Sequence, residues 1–155
     1  MTQWSTDMPT LQWRCVNGKD LLERGIDLEE RGCVSHVEFV FNNETIGARQ
    51  GGVQVRPLDH FEWEFWFEAD CTPEQYDAAT EFLRAQIGKP YDYEAIIGIE
   101  LDKNWQPDGS SWYCSWLWKA VMQAGSLIGD FPSCVTNLTP QEALLISFAM
   151  FKQIR

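Results

Sequence analysis

Residues 110–120 read SSWYCSWLWKA, and the position of Cys114 in them decides how the chain is organised. Leu117, Trp118, Val121 and Met122 follow Cys114 at i+3, i+4, i+7 and i+8. That is one apolar stripe of a helix. Gly125 ends the run, as glycine commonly does just past a helix. Ser110 or Ser111 is placed to cap its start. Cys114 therefore falls in the first turn, on the edge that faces the rest of the protein. A thiol there meets the positive end of the helix dipole and backbone N–H groups that lack intrahelical partners. Both favour the thiolate, which is the nucleophilic form. The same N–H groups can bind a developing oxyanion.

A nucleophile needs a base, and the sequence holds only two histidines, His36 and His60. His36 sits in VSHVEFVF, residues 34–41. The alternation reads as a strand, with Ser35, Val37, Phe39 and Phe41 on one face and Val34, His36, Glu38 and Val40 on the other. A helix packed against that sheet can present Cys114 to the His36 face, and a histidine beside a thiol takes its proton. Glu38 shares the face and is a candidate to orient the imidazole. Positions i and i+2 lie roughly 6.5–7 Å apart at Cα, so spacing alone does not settle that contact. Taken singly, these residues also have plain readings: a core thiol, a structural histidine, a strand carboxylate. His60, beside Asp59, reads as a surface-loop histidine.

The surrounding pattern predicts an α+β fold, with strands in the first half and helices in the second. Asn42 and Asn43 supply a turn, and a short strand follows at Thr45 to Ala48. Gly51 and Gly52 permit a tight bend before Val53 to Arg56. FEWEFWFE, residues 61–68, alternates as a half-buried antiparallel strand. Its glutamates read as a solvated face, with Trp66 among them. Thr72-Pro73-Glu74-Gln75 and Thr139-Pro140-Gln141-Glu142 both carry the signature of a capped helix start. Tyr76, Thr80, Leu83 and Ile87 keep helical spacing up to Gly88.

Length and composition narrow the function. The chain has 155 residues, 45% of them hydrophobic and 14% aromatic, which suits one domain with a real core. A net charge of -11 argues against nucleic-acid binding and against adsorption to an anionic membrane. The five cysteines are odd in number and form no CxxC. Reduced thiols are expected, with neither a disulfide framework nor a zinc site. MTQWSTDMPTLQW at the start lacks a secretory pattern, and no apolar run is long enough to span a bilayer. A soluble protein made in the cytoplasm is expected, without metal or organic cofactor. Release from the cell by lysis or with a partner stays open.

The segments Gly88-Lys89-Pro90-Tyr91 and Trp112-Tyr113-Cys114-Ser115-Trp116-Leu117 resemble the NlpC-type cell-wall cysteine peptidases. Here SHVEFVF precedes the cysteine. That order resembles the circularly permuted branch of the papain-like superfamily, which includes the YiiX- and YaeF-like proteins. IGARQGGVQVRPL and TPQEALLIS resemble the branch's second strand with its GV turn and its late helix start. The likeness spans roughly residues 32 to 147, and no single motif in it is highly specific. It implies a papain-like antiparallel sheet packed on the cysteine helix in a single domain, residues 1–155. It implies Cys114 as nucleophile, His36 as general base and Tyr91 near the site, with its hydroxyl available to oxyanion or substrate. Tyr113, Ser115 and Gln50 are the remaining candidates for substrate contact. The implied substrate is an amide in a cell-wall peptide. A lipid-directed acyltransferase or thioesterase is the second reading, with Trp112, Tyr113 and Trp116 lining an acyl groove; an inactive binding module is the third. The branch often has a glutamate on the strand before the GV turn, where this chain has Gly47-Ala48. Either Glu38 or Gln50 substitutes, or a dyad works alone, or the site is degenerate.

Overall fold

A computed structural model describes residues 8–17, 33–95, 108–132 and 138–155. Cys134 and most of the N-terminal segment read above lie outside the described residues. The fold is α+β. Six strands form one antiparallel sheet: β1 Thr10–Val16, β2 His36–Phe41, β3 Glu44–Arg49, β4 Gly52–Pro57, β5 Glu64–Asp70 and β6 Lys152–Gln153. Their order across the sheet is β4-β3-β2-β1-β5-β6. The helices among the described residues are α1 Pro73–Ala85, α2 Cys114–Ala124 and α3 Pro140–Met150.

The pattern did not mark β1, yet it is the strand that joins the two halves of the sheet. It reads TLQWRCV, with Leu11, Trp13 and Cys15 on one face and Gln12 and Arg14 on the other. Its register places Cys15 opposite Val37, Trp13 opposite Phe39 and Arg14 opposite Glu38 on β2. On the far side Trp13 pairs with Phe67 and Arg14 with Trp66 of β5. The Trp13 face is the apolar core. Trp13 stacks on Phe67 at 5.9 Å between centroids, tilts against Trp118 of α2 at 6.1 Å and meets Phe151 edge-on at 4.9 Å. Its indole Nε1 donates to Ser147 Oγ on α3 at 2.9 Å, so its polar edge is satisfied as burial demands.

Helix α2 thus packs on the Trp13, Val37 and Phe39 side of the sheet, not on the His36 side anticipated from the sequence. Thiol and imidazole meet where β2 and α2 both begin. Helix α1 packs against α2. Among the described residues no helix is long and apolar enough to cross a membrane.

The aromatic strand starts later than its alternation suggests. Residues 61–63 form a loop, and Trp63 is 54% exposed. Phe61 instead lies 5.0 Å from the Arg14 guanidinium. Glu64 is no member of a solvated face: its side chain is 5% exposed and pairs with Arg14 at 3.4 Å.

Candidate active site

Cys114 is the first residue of α2. The helix start has Tyr113 at its N-cap and no side-chain cap hydrogen bond. The serines anticipated as caps are engaged elsewhere. Ser110 bonds Asp108, and Ser111 Oγ donates to Asp92 Oδ2 at 3.1 Å. The first backbone N–H groups of α2 therefore receive nothing from a capping side chain.

His36 Nε2 meets Glu38 Oε2 at 3.2 Å. Cys114 is the other group that acts on the imidazole. The i, i+2 pair therefore does meet, its side chains closing the gap that Cα spacing left open. Cys114, His36 and Glu38 are all 2% exposed or less. Burial works to lower the His36 pKa, but the hydrogen bonds and charges of Cys114 and Glu38 raise it to about 10. Burial works to raise the Glu38 carboxyl, but His36 and then Arg14 hold it at about 2. The imidazole is thus kept charged beside the thiol.

Behind Glu38 stands Arg14, which is fully buried. Its Nε and Nη2 both donate to Glu38 Oε1, at 3.0 and 2.6 Å, so each carboxylate oxygen has its own partner. Sequence reading missed Arg14. The available signal was a lone charge in an otherwise uncharged alternating run, since few charges are buried without a partner.

Gly47 fills the slot where a glutamate was looked for. A Cβ on Gly47 would approach Glu38 Cβ to 2.8 Å. The missing side chain gives Glu38 its room, and Glu38 reaches His36 from the histidine's own strand. Gln50 is exposed in the β3–β4 turn, where its carbonyl accepts from Arg56. His60 is also exposed.

A second glycine brings Tyr91 into place. Gly52 has φ +101, and a Cβ there would fall 2.5 Å from the Lys89 carbonyl oxygen. Val53 N donates to that oxygen at 2.9 Å, and Gly88 N donates to Val53 O at 2.8 Å. The adjoining Pro90–Asp92 segment is then tied to Trp112: Trp112 N donates to Pro90 O and Asp92 N to Trp112 O, both at 3.0 Å. The GV turn thereby carries the PY segment to the residues just before Cys114. Tyr91 is half-buried, its ring 6.1 Å from that of Tyr113.

Ser115 is fully buried and its hydroxyl donates to the Leu138 carbonyl, tying α2 to the start of α3. Trp112, Tyr113 and Trp116 are buried too, so they do not form an open groove in this arrangement. The described cysteines, Cys15, Cys33, Cys71 and Cys114, are all free thiols. Burial, reinforced by the charges of Cys114 and Cys33, pushes the Cys15 thiol well above its ordinary range.

The α+β architecture, an antiparallel sheet with the cysteine helix packed on one face, is similar to the YiiX-like fold. The solved structure behind that statement is described as the metalloprotein yiiX from Escherichia coli O157:H7. It superposes with a TM-score of 0.67 over 96% of this chain and 97% of that one, at 16% sequence identity. No protein-family model matches the sequence, and no curated protein does either. The word metalloprotein belongs to the yiiX description. In this chain both Glu38 oxygens are engaged by His36 and Arg14. No group of three or more His, Cys, Asp or Glu able to hold a metal stands among the described residues.

Proposed function

We propose that this protein is a thiol hydrolase of permuted papain-like architecture that cleaves an amide bond, with cell-wall peptides as the substrate class. The observation that carries the reading is His36, held by Glu38 at 3.2 Å and acted on by Cys114, at a helix start without a side-chain cap. The Cys114 sulfur attacks the carbonyl carbon. Backbone N–H groups in the first turn of α2, that of Ser115 among them, hold the oxyanion. The His36 imidazolium gives its proton to the leaving amine as the C–N bond breaks, leaving a thioester. His36 then takes a proton from water, the hydroxide attacks the thioester and the thiolate departs. Glu38 keeps the imidazole oriented and favours its charged form. Tyr91 and Tyr113 flank the substrate side, and Tyr91 lends its hydroxyl to oxyanion or substrate. Burial makes the charges in this line act more strongly on one another than they would in water.

The Glu38 contact with His36 supports the active reading over an inactive binding module.

The test is incubation of the wild-type protein and of Cys114→Ala with muropeptides and with acyl esters. Release of peptide or amine by wild type only, with a thioester adduct on Cys114 seen by mass spectrometry, is expected. Fatty acid release without peptide release would move the protein to the acyl-directed reading. Fragment binding by Cys114→Ala with no wild-type turnover would make it a binding module.

A further inference from the structure

Arg14 is a fully buried arginine that holds the Glu38 carboxylate of the proposed site. It crosses from β1 to β2 in direct register with Glu38. Its two bonds to Glu38 go to Oε1 alone, and His36 holds Oε2. The remaining guanidinium nitrogen, Nη1, donates to the Asp59 carbonyl at 2.6 Å and to Glu64 Oε1 at 3.4 Å. The Phe61 and Trp66 rings close over it at 5.0 and 5.8 Å. Here one carboxylate oxygen is occupied so that the carboxylate cannot turn, and the other is left for the imidazole.

We infer that Arg14 is a positioning residue: it fixes the Glu38 carboxylate, ionised and with Oε2 aimed at His36, and acts on Cys114 only through that line. The inference rests on the proposed thiol chemistry but can be judged apart from it. The charged groups around Glu38 are His36 on its own strand, Arg14 from β1, Glu64 from β5 with Arg155 facing it, and Cys114 beyond His36. β3 brings Gly47 against Glu38, its carbonyl accepting from Arg56, and Arg49 at its end, whose guanidinium lies 5.8 Å from the Phe61 ring that covers Arg14. Lysine in place of Arg14 keeps the charge but loses the planar fork, so it cannot hold Oε1 twice while also reaching Asp59 and Glu64.

The experiment compares wild type, Arg14→Lys, Arg14→Gln, Glu38→Gln and Arg14→Gln/Glu38→Gln. Two readouts are taken on the full chain: the iodoacetamide rate at Cys114 against pH, by peptide mapping, and the His36 ring nitrogen resonances by NMR. The expected result is a slowing on the order of 10–100-fold for Arg14→Lys at neutral pH, with its acid limb moved to higher pH and the His36 resonances shifted. The double variant should be no slower than Glu38→Gln alone. An Arg14→Lys protein with the wild-type pH profile and unchanged His36 resonances would overturn the inference. So would a double variant clearly slower than Glu38→Gln. If the single Arg14 variants do not fold, Arg14→Met/Glu38→Met against Glu38→Gln decides, because the double variant leaves neither charge buried alone and glutamine keeps an oxygen to accept from Arg14; equal rates are expected, and a slower double variant overturns the inference. If Cys114 is unreactive even in wild type, the proposed function fails while the His36 resonances still judge Arg14.

Discussion

The three described helices begin in two different ways. At α1, Thr72 Oγ1 accepts from Gln75 N at 3.2 Å, and Gln75 Oε1 accepts from Thr72 N at 3.0 Å. At α3, Thr139 and Glu142 do the same at 3.1 and 2.8 Å. Each is a closed capping box with proline in its first turn. Helix α2 starts at Cys114 with no such device. A cap is worth about 1 kcal/mol, and among these three helices it is forgone at the start that carries the thiol. The capped helices are held by their own sequence. The open one is held by packing, with Leu117, Trp118, Val121 and Met122 buried, and by the Ser115 bond to Leu138. A helix start without a cap is a weakness in a purely structural element and a binding surface in a catalytic one.

Four experiments break or sharpen that contrast. The largest effect is expected at the open start. Cys114→Ala abolishes hydrolysis of the cleaved substrate, and His36→Ala lowers kcat by roughly 10²–10⁴-fold; steady-state kinetics on muropeptides read both. A rate unchanged in either variant would reduce α2 to an ordinary buried helix.

The second is pH dependence. The His36 pKa rises from 6.5 to about 10 in the folded chain. The stability its charge contributes is complete below 6.5 and is lost as pH rises through about 10. Hydrolysis should fall over that same upper limit, since the leaving amine then lacks its proton donor, while alkylation of Cys114 should persist. Glu38 moves the other way, from 4.5 to about 2. Its contribution is present above 4.5 and is lost as pH falls towards 2. Hydrolysis and iodoacetamide rates measured side by side across pH distinguish acid catalysis from thiolate supply.

Third, Gly47→Ala puts a methyl group 2.8 Å from Glu38 Cβ. It should cost about 1–3 kcal/mol in urea unfolding and also slow Cys114 alkylation, because the strain falls on the carboxylate that holds His36. The smallest effect belongs to a closed start. Thr72→Ala should cost about 1 kcal/mol by the same unfolding assay and leave the alkylation rate at Cys114 as it was. If Thr72→Ala slows Cys114 as Gly47→Ala does, the two kinds of helix start are not separable.

Much of this was legible because it is local. Both capping boxes, the first-turn place of Cys114, the His36 strand and the Asn42 turn follow from spacing over a few residues. Glu38 was reachable as a candidate because it shares a strand face with His36. The rest depends on partners distant along the chain. Which of Glu38 and Gln50 meets His36 was decided by side-chain reach across 3.2 Å, not by Cα spacing. Gly47 looked like a missing carboxylate until its neighbour on β2 was known. The inward turn of Glu64 followed from the loop at 61–63 and the buried charge of Arg14.

The sequence alone determined much of the local structure and its chemistry: two capped helices, a helix start bearing a thiol, and a strand bearing a histidine and a carboxylate; that the thiol-bearing start is open was decided by the fold, which engages Ser110 and Ser111 elsewhere. Tertiary structure decided the sheet order, the insertion of β1 beside β2, and hence the placing of Arg14 behind Glu38. Side-chain periodicity fixes a face within a strand, but register and neighbour are set by what packs on both sides. Only the assembled sheet shows which charge stands opposite which.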